Sequence, residues 1–297
     1  MTASPHRKPP RIGDSAAVRR SLITFVLIVG AILVVMPLVV IFVQAFSRGW
    51  STYAAAITSR DTQHAIFLTV VTALIAVPIN TIFGVAAAWA ITKHDFPGKR
   101  LLTVIIEIPF SVSPIVAGVA YLFVYGLQGL FGETLAAADI KILFALPGIV
   151  LASMFVTAPF VARELIPLME AQGRDLEEAA TSLGASGWRT FFWITLPNIR
   201  WAMLYGVILC NARVMGEFGA VSIVSGNIRG QTNTLPLHIE LLYHDYQTVG
   251  AFAAASILTV LALITIVAKV LLERRGAGRA GRPALAGPVV AAQGTTP

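Results

Sequence analysis

Arg213 and Glu217 stand four residues apart inside an otherwise apolar run from Trp201 to Val224. On a helix that spacing puts both on one face, where they can neutralise each other. A charge at the centre of a membrane-spanning helix costs about 2.5–3.5 kcal/mol on insertion scales, so it calls for a partner or a cavity. Two readings stay open. The pair pins helix packing, or Arg213 lines a translocation path, where a permanent guanidinium attracts a multivalent oxyanion and Glu217 restrains it. Gly206, Gly216 and Gly219 nearby would let another helix approach closely.

The polar stretch that follows, Ser225 to Glu240, offers amides and hydroxyls for an oxyanion or a docking protein, foremost Asn227, Arg229, Thr232 and Thr234. His238 and His244 are six apart, without metal-ligand spacing. The single cysteine, Cys210, cannot form an internal disulfide and reads as a small buried apolar residue. No metal site is expected, and no His, Asp, Ser or Cys cluster stands at catalytic spacing within the apolar runs.

A second group of residues lies between Arg163 and Arg200. Asp175 can cap a helix with Glu178 completing a capping box, and Gly184 is a natural stop. Ser186 can cap a second short helix ending at Pro197. Leu176, Ala180 and Leu183 share one side at helical spacing, and Ala179 is small enough for close backbone approach. Such a helix suits a cleft on another protein or rests on its own bundle and the lipid headgroups; the residues alone favour neither.

These groups must be positioned by an apolar scaffold. The chain has 297 residues, of which 56% are hydrophobic and 12% charged, and a mean hydropathy of +0.77. Soluble domains carry about 25% charged residues, so a soluble globular enzyme is excluded, and disorder with it. A bilayer crossing needs roughly 20 apolar residues. Six runs qualify: Leu22 to Phe46, Ala65 to Thr92, Leu101 to Leu127, Ile142 to Ala162, Trp201 to Val224 and Val249 to Ala268. Backbone groups in lipid must be satisfied within the segment, so the expected class is an all-α membrane protein with six transmembrane helices. Pro37, Pro78, Pro109, Pro114, Pro147 and Pro159 are expected to kink them.

With both termini in the cytoplasm, only Arg48, Arg60, Lys141 and Arg229 of the 22 Lys and Arg fall outside, and Arg213 falls within a span. The positive-inside rule therefore places both ends and the 163–200 connection in the cytoplasm, and the net charge of +7 needs no nucleic acid. The expected organisation is a cytoplasmic tail over 1–21, a first span over 22–46, a domain holding the other five spans over 61–272 and a disordered cytoplasmic tail over 273–297. Arg19-Arg20 ahead of an apolar run suggests a signal sequence, but the run exceeds the roughly 7–15 residues of one, so it reads as a retained span.

Glu178-Ala179-Ala180, Gly184, Ile194 and Leu196-Pro197, with their two gaps, resemble the EAA signature of permease subunits from ATP-binding-cassette importers. The resemblance implies the type I importer fold and a coupling helix around Asp175 that docks on a separate ATPase. This chain lacks a phosphate-cradling loop: Gly98-Lys99 is followed by Arg100 and has no glycine five residues ahead. Gly276 to Gly281 matches a dinucleotide fingerprint by chance, with no strand ahead of it. No cofactor is expected on this chain; ATP and Mg belong to the ATPase.

The stretch Gly219 to His238 is similar to the molybdate and sulfate branch of that family, the sulfate and thiosulfate permeases in particular, with Val214-Met215 a departure from the usual Ala-Leu. The resemblance implies translocation of sulfate or thiosulfate across the inner membrane. It also implies a second homologous permease, two ATPase copies and an extracytoplasmic sulfate- or thiosulfate-binding protein, with lipid around the bundle. The alternatives are a molybdate or tungstate permease and an ATP-independent anion carrier or channel; the second would show inverted three-span repeats, and no convincing one is found.

Overall fold

A computed structural model describes residues 16–280. The expected tails at 1–15 and 281–297 lie outside the described residues. Every regular element within them is helical: α1 Ala16–Gly30, α2 Met36–Ala45, α3 Trp50–Thr58, α4 Arg60–Lys93, α5 Lys99–Ser111, α6 Pro114–Tyr125, α7 Gly132–Ala137, α8 Leu146–Thr157, α9 Pro159–Gln172, α10 Asp175–Ser182, α11 Gly187–Thr190, α12 Leu196–Met215, α13 Gly219–Ser225, α14 Leu235–His244 and α15 Thr248–Ala280. Five stretches are long and apolar enough to cross a membrane, namely Ala17–Ala45, Arg60–Lys93, Leu146–Gln172, Gly187–Met215 and Thr248–Leu271. A sixth is broken: α5 and α6 meet at 108°.

The break goes further than the kink expected at Pro114 within the run from Leu101 to Leu127: the helix stops and restarts. Pro114 disfavours the helical region for the residue before it. Ser113 accordingly sits at φ −58°, ψ 133°, and Val112 is extended as well. Pro114 then opens α6 at its first turn, where its missing N–H costs nothing.

Two other prolines behave differently. Pro37 and Pro197 each follow a widened π turn, Ala31–Val35 and Phe191–Thr195. The π turn shifts the hydrogen-bond register by one residue just where the proline cannot donate, so the helix passes through. Pro197 therefore does not end a short helix as expected; Gly187–Met215 is continuous. The fifth span begins earlier than Trp201 and stops at Met215 rather than Val224, because Gly216 closes α12 and α13 starts anew. The helix that carries the sixth span runs on past it to Ala280, into the segment expected to be disordered.

The core sits where α4, α9 and α12 cross, around Ala76, Val77, Val161, Leu165, Ile199 and Cys210. A Cβ on Gly84 would lie 2.7 Å from Val161 Cβ, and one on Gly206 would lie 3.2 Å from Val161 Cα. Glycines on α4 and α12 thus let both helices press against α9, the close packing that lipid-embedded bundles rely on. At the α8/α9 junction Pro159 has no N–H and Ala158 N–H turns to Phe155 O. Met154 O, left without its helical donor, receives the Asn80 amide at 3.1 Å, which also donates to Thr157 Oγ1 at 2.7 Å.

Candidate coupling and translocation sites

α10 hangs at one end of the bundle between α9 and α11. Its first turn carries Asp175, Glu177 and Glu178, which suit the positive end of the helix dipole. The expected capping box does not form: Arg174 occupies the cap position without a side-chain bond, and Asp175 is already helical. The other end closes as expected. Gly184 lies at φ +85°, its N–H donates to Thr181 O at 2.9 Å, and Ala185 N–H donates to Ala180 O at 3.0 Å. That bond pair is a Schellman closure, which needs a residue free to enter the left-handed region.

Glu178, Ala179 and Gly184 face outward, and so do Leu176 and Leu183, the latter 89% exposed. Ala180 is the only buried residue of α10. The expected apolar side is therefore split, with Ala180 turned to the bundle and the two leucines away from it. Ile194 and Leu196 are partly buried, Leu196 packing on the core, whereas Pro197 is exposed. Trp188 and Trp193 project outward at the same end.

Sequence reasoning missed the polar network beneath α10. Lys93, at the end of α4, places Nζ 3.0 Å from Glu177 Oε1 and donates to Gly173 O. Thr195 Oγ1, in the π turn, donates to the same Glu177 Oε1 at 3.0 Å. Beside it, both terminal nitrogens of Arg174 lie 3.2 Å from Asp95 Oδ2, and Lys99 lies 3.4 Å from Asp95 Oδ1. Hydrogen bonding from Arg174 holds the Asp95 carboxyl below its usual range.

At the other end of α12, Arg213 Nη1 and Glu217 Oε2 are 2.9 Å apart. They are not on one continuous helix, because Gly216 lies between them at the α12 terminus. The Glu217 side chain is 1% exposed, and its Oε1 accepts from Ala220 N–H at 3.1 Å, capping α13. One carboxylate thus joins the end of a span to the start of a short helix that packs between α6 and α8. Gly219 serves the same junction, since a Cβ there would lie 3.0 Å from Pro114 Cβ; Gly216 meets nothing but its own helix.

The loop after α13 folds back on itself. Thr232 Oγ1 donates to Ser225 O at 2.6 Å and accepts from Ile228 N–H at 3.2 Å. Arg229 pairs with Asp245 and stays exposed. Thr69 Oγ1 on α4 accepts from Leu235 N–H at 2.8 Å, and Thr62 Oγ1 meets His238 Nε2 at 3.0 Å. Burial lowers the His238 pKa against a partial opposing effect of Asp61. His244 points outward near Glu240, away from His238. Asn227 Oδ1, Thr234 Oγ1 and both amide atoms of Asn233 are buried without a protein partner. Asn233 was not singled out from sequence, where nothing separates it from its polar neighbours. A cleft of about 860 Å³ lined by Phe123, Leu127, Ile140 and Phe144 adjoins this loop, since Phe144 N–H donates to Val224 O at 2.9 Å and its ring lies against Gly226. Among the described residues no group of three His, Cys, Asp or Glu could hold a metal ion.

The model of the family described as "Binding-protein-dependent transport system inner membrane component" matches residues 80–277. The chain is 53% identical to the sulfate transport system permease protein CysW of Escherichia coli K12 over 84% of its length and 86% of that relative. To the CysT permease protein of the same organism it is 33% identical, over 82% of this chain and 88% of that one. A chain in the crystal structure of a bacterial alginate ABC transporter, in complex with an alginate pentasaccharide-bound periplasmic protein, superposes with a TM-score of 0.70 at 17% identity. That alignment covers 87% of this chain and 96% of the other. With six apolar spans, one of them broken, and a short helix exposed between the fourth and the fifth, this chain belongs to the inner-membrane components of binding-protein-dependent transport systems.

Proposed function

We infer that this chain is the permease subunit of an ATP-driven importer that passes sulfate, and with it thiosulfate, across the inner membrane. The observation that carries the reading is the 53% identity with a sulfate permease protein across most of both chains. In this reading α10 docks on a separate ATPase through the outward-facing Asp175, Glu178, Ala179 and Gly184, with Ile194, Leu196 and Pro197 framing the contact, whereas Ala180 of the same signature seats the helix on its own bundle and is not part of the docking face. Its outward face supports this, because a helix that buries only Ala180 against its own bundle leaves its surface for another protein. ATP and Mg belong to that ATPase, present in two copies, and this chain holds no cofactor. A second homologous permease completes the pore, an extracytoplasmic binding protein delivers the anion, and both termini face the cytoplasm.

The anion path runs along the far end of α12. Arg213 supplies positive charge and is partly exposed, whereas Glu217 is enclosed, one oxygen against Arg213 and the other accepting from the α13 terminus. Asn227, Thr232, Thr234 and Arg229 belong to the extracytoplasmic loop beside it. Proteoliposomes holding the whole transporter, with ATP enclosed and the binding protein outside, should accumulate labelled sulfate only when ATP is present. Uptake without ATP would return the carrier reading. Inhibition by molybdate at equal concentration would return the molybdate reading.

A further inference from the structure

Packing does not explain how α10 moves the spans. Ala180 is the only side chain it buries, which is too little apolar contact to transmit a displacement without slipping. What joins α10 to the bundle is directional and polar, and it converges on a single atom. Glu177 Oε1 receives Lys93 from the end of α4 at 3.0 Å and Thr195 from the start of the fifth span at 3.0 Å. The lysine is nearly enclosed, its side chain 7% exposed, and that of Glu177 is 18% exposed. Lys93 also donates to Gly173 O, so it grips the loop entering α10 as well. An ion pair sheltered from water is held far more firmly than the open Asp95 pairs beside it.

We propose that Glu177 is the positioning residue that transmits motion of α10 to the second and fifth spans at once, through Lys93 and Thr195. The proposal rests on the permease reading above. Glu177 lies one residue ahead of the Glu178-Ala179-Ala180 run and turns inward while Glu178 faces out. The two neighbouring acids therefore divide the work: Glu178 meets the ATPase, and Glu177 holds the spans. α4 carries Asn80 and Gly84, which set its packing on the α8/α9 junction, so a pull on Lys93 reaches the centre of the bundle along one rigid helix.

The test uses the complete transporter in the same proteoliposomes, reading sulfate uptake and ATP hydrolysis together. Glu177→Ala should keep the ATPase subunits bound and hydrolysing while sulfate carried per ATP falls about tenfold, the range typical of a coupling free energy between sites. Lys93→Met should do the same. Exchanging the charges, Lys93→Glu with Glu177→Lys, should recover at least half of the coupling ratio, which a purely local structural role of either residue would not restore. An unchanged ratio in Glu177→Ala, or loss of the ATPase subunits from it on purification, would overturn the proposal. If the single variants fail to insert, the exchanged pair decides: insertion without recovered coupling refutes the linkage. A wild-type transporter that takes up no sulfate under ATP would instead sink the permease reading itself, so the two failures are distinguishable.

Discussion

The two ends of α12 are held in opposite ways. At its beginning, α10 is attached by ion pairs and hydrogen bonds and buries Ala180 alone. At its far end, every residue from Thr232 to His238 except Pro236 is buried, and Leu235 and Leu237 belong to separate apolar clusters with α4. Packed apolar surface fixes one arrangement, because each displaced side chain loses many contacts at once. A few polar links, even one sheltered ion pair, hold only the atoms they join and leave the rest of the helix surface free. The end built from polar links is suited to moving against a partner; the packed end is suited to holding a shape. Substitutions at the far end should therefore change stability, and those around α10 should change coupling.

The largest stability effect is expected at Arg213. Removing it leaves the Glu217 carboxylate enclosed without a counterion; deleting one partner of a fully buried pair costs about 3–5 kcal/mol, and the part-exposed Arg213 side chain places this loss below that range. Arg213→Ala should lower the thermal unfolding temperature of the purified chain sharply, whereas Arg213→Lys should recover much of the loss and part of the uptake. Equal loss of folded protein in both variants would make the pair purely structural and remove Arg213 from the anion path.

Gly184→Asp is the matching change at the other end. A residue with a Cβ in the left-handed region costs about 1–2 kcal/mol, and nothing else crowds the site, since no atom lies within 4 Å of a Cβ built there. The chain should insert and unfold only slightly earlier, while sulfate carried per ATP collapses because the end of α10 is misplaced. Normal coupling in this variant would remove α10 from the ATPase contact. A drop in stability larger than that of Arg213→Ala would invert the comparison between the ends.

Much of this was legible in the residues. Five of the six apolar runs gave continuous spans and the other a bent pair of helices, and Gly184 gave the end of α10 because a left-handed closure leaves a composition signal. What escaped depended on contacts distant in sequence or on geometry that pattern alone does not carry. Lys93 looked like the last charge of a helix until the fold brought Glu177 and Thr195 to it. Asp175 looked like a cap, but the chain entered the helix one residue earlier. The break at Ser113-Pro114 was open to reading, since a proline restricts its predecessor; hydropathy smoothed over it. The same smoothing hid the end of α12 at Gly216, where an apolar run continues though the helix does not.

His238 offers a gentler probe of the packed end. Burial holds its pKa below the ordinary 6.5, so the folded state favours the neutral ring. The stability this confers is present above pH 6.5 and is lost progressively as pH falls through and below it, because the unfolded chain binds the proton first. His238→Gln should flatten that acid-side slope while costing about 1 kcal/mol at neutral pH from the altered Thr62 contact. Thermal unfolding at a series of pH values checks it, and an unchanged slope would place the acid sensitivity elsewhere.

The smallest effect belongs to Asp95, and its smallness is the point. Its pairs with Arg174 and Lys99 lie open to water, where screening leaves little net stabilisation. The carboxyl is nevertheless held below its ordinary 3.8, chiefly by the Arg174 hydrogen bonds, so the charged form prevails at every pH in which a transporter works. Whatever the pair contributes is present above pH 3.8 and disappears as pH falls through the depressed value. Asp95→Asn should leave the unfolding temperature unchanged and speed amide exchange in α10 slightly at neutral pH. The difference from wild type should vanish below the Asp95 titration, where both lack the charge. If Asp95→Asn instead uncoupled transport as strongly as Glu177→Ala, the link between α10 and the spans would be spread over the open pairs, and enclosure of the Lys93 contact would not be what makes it firm.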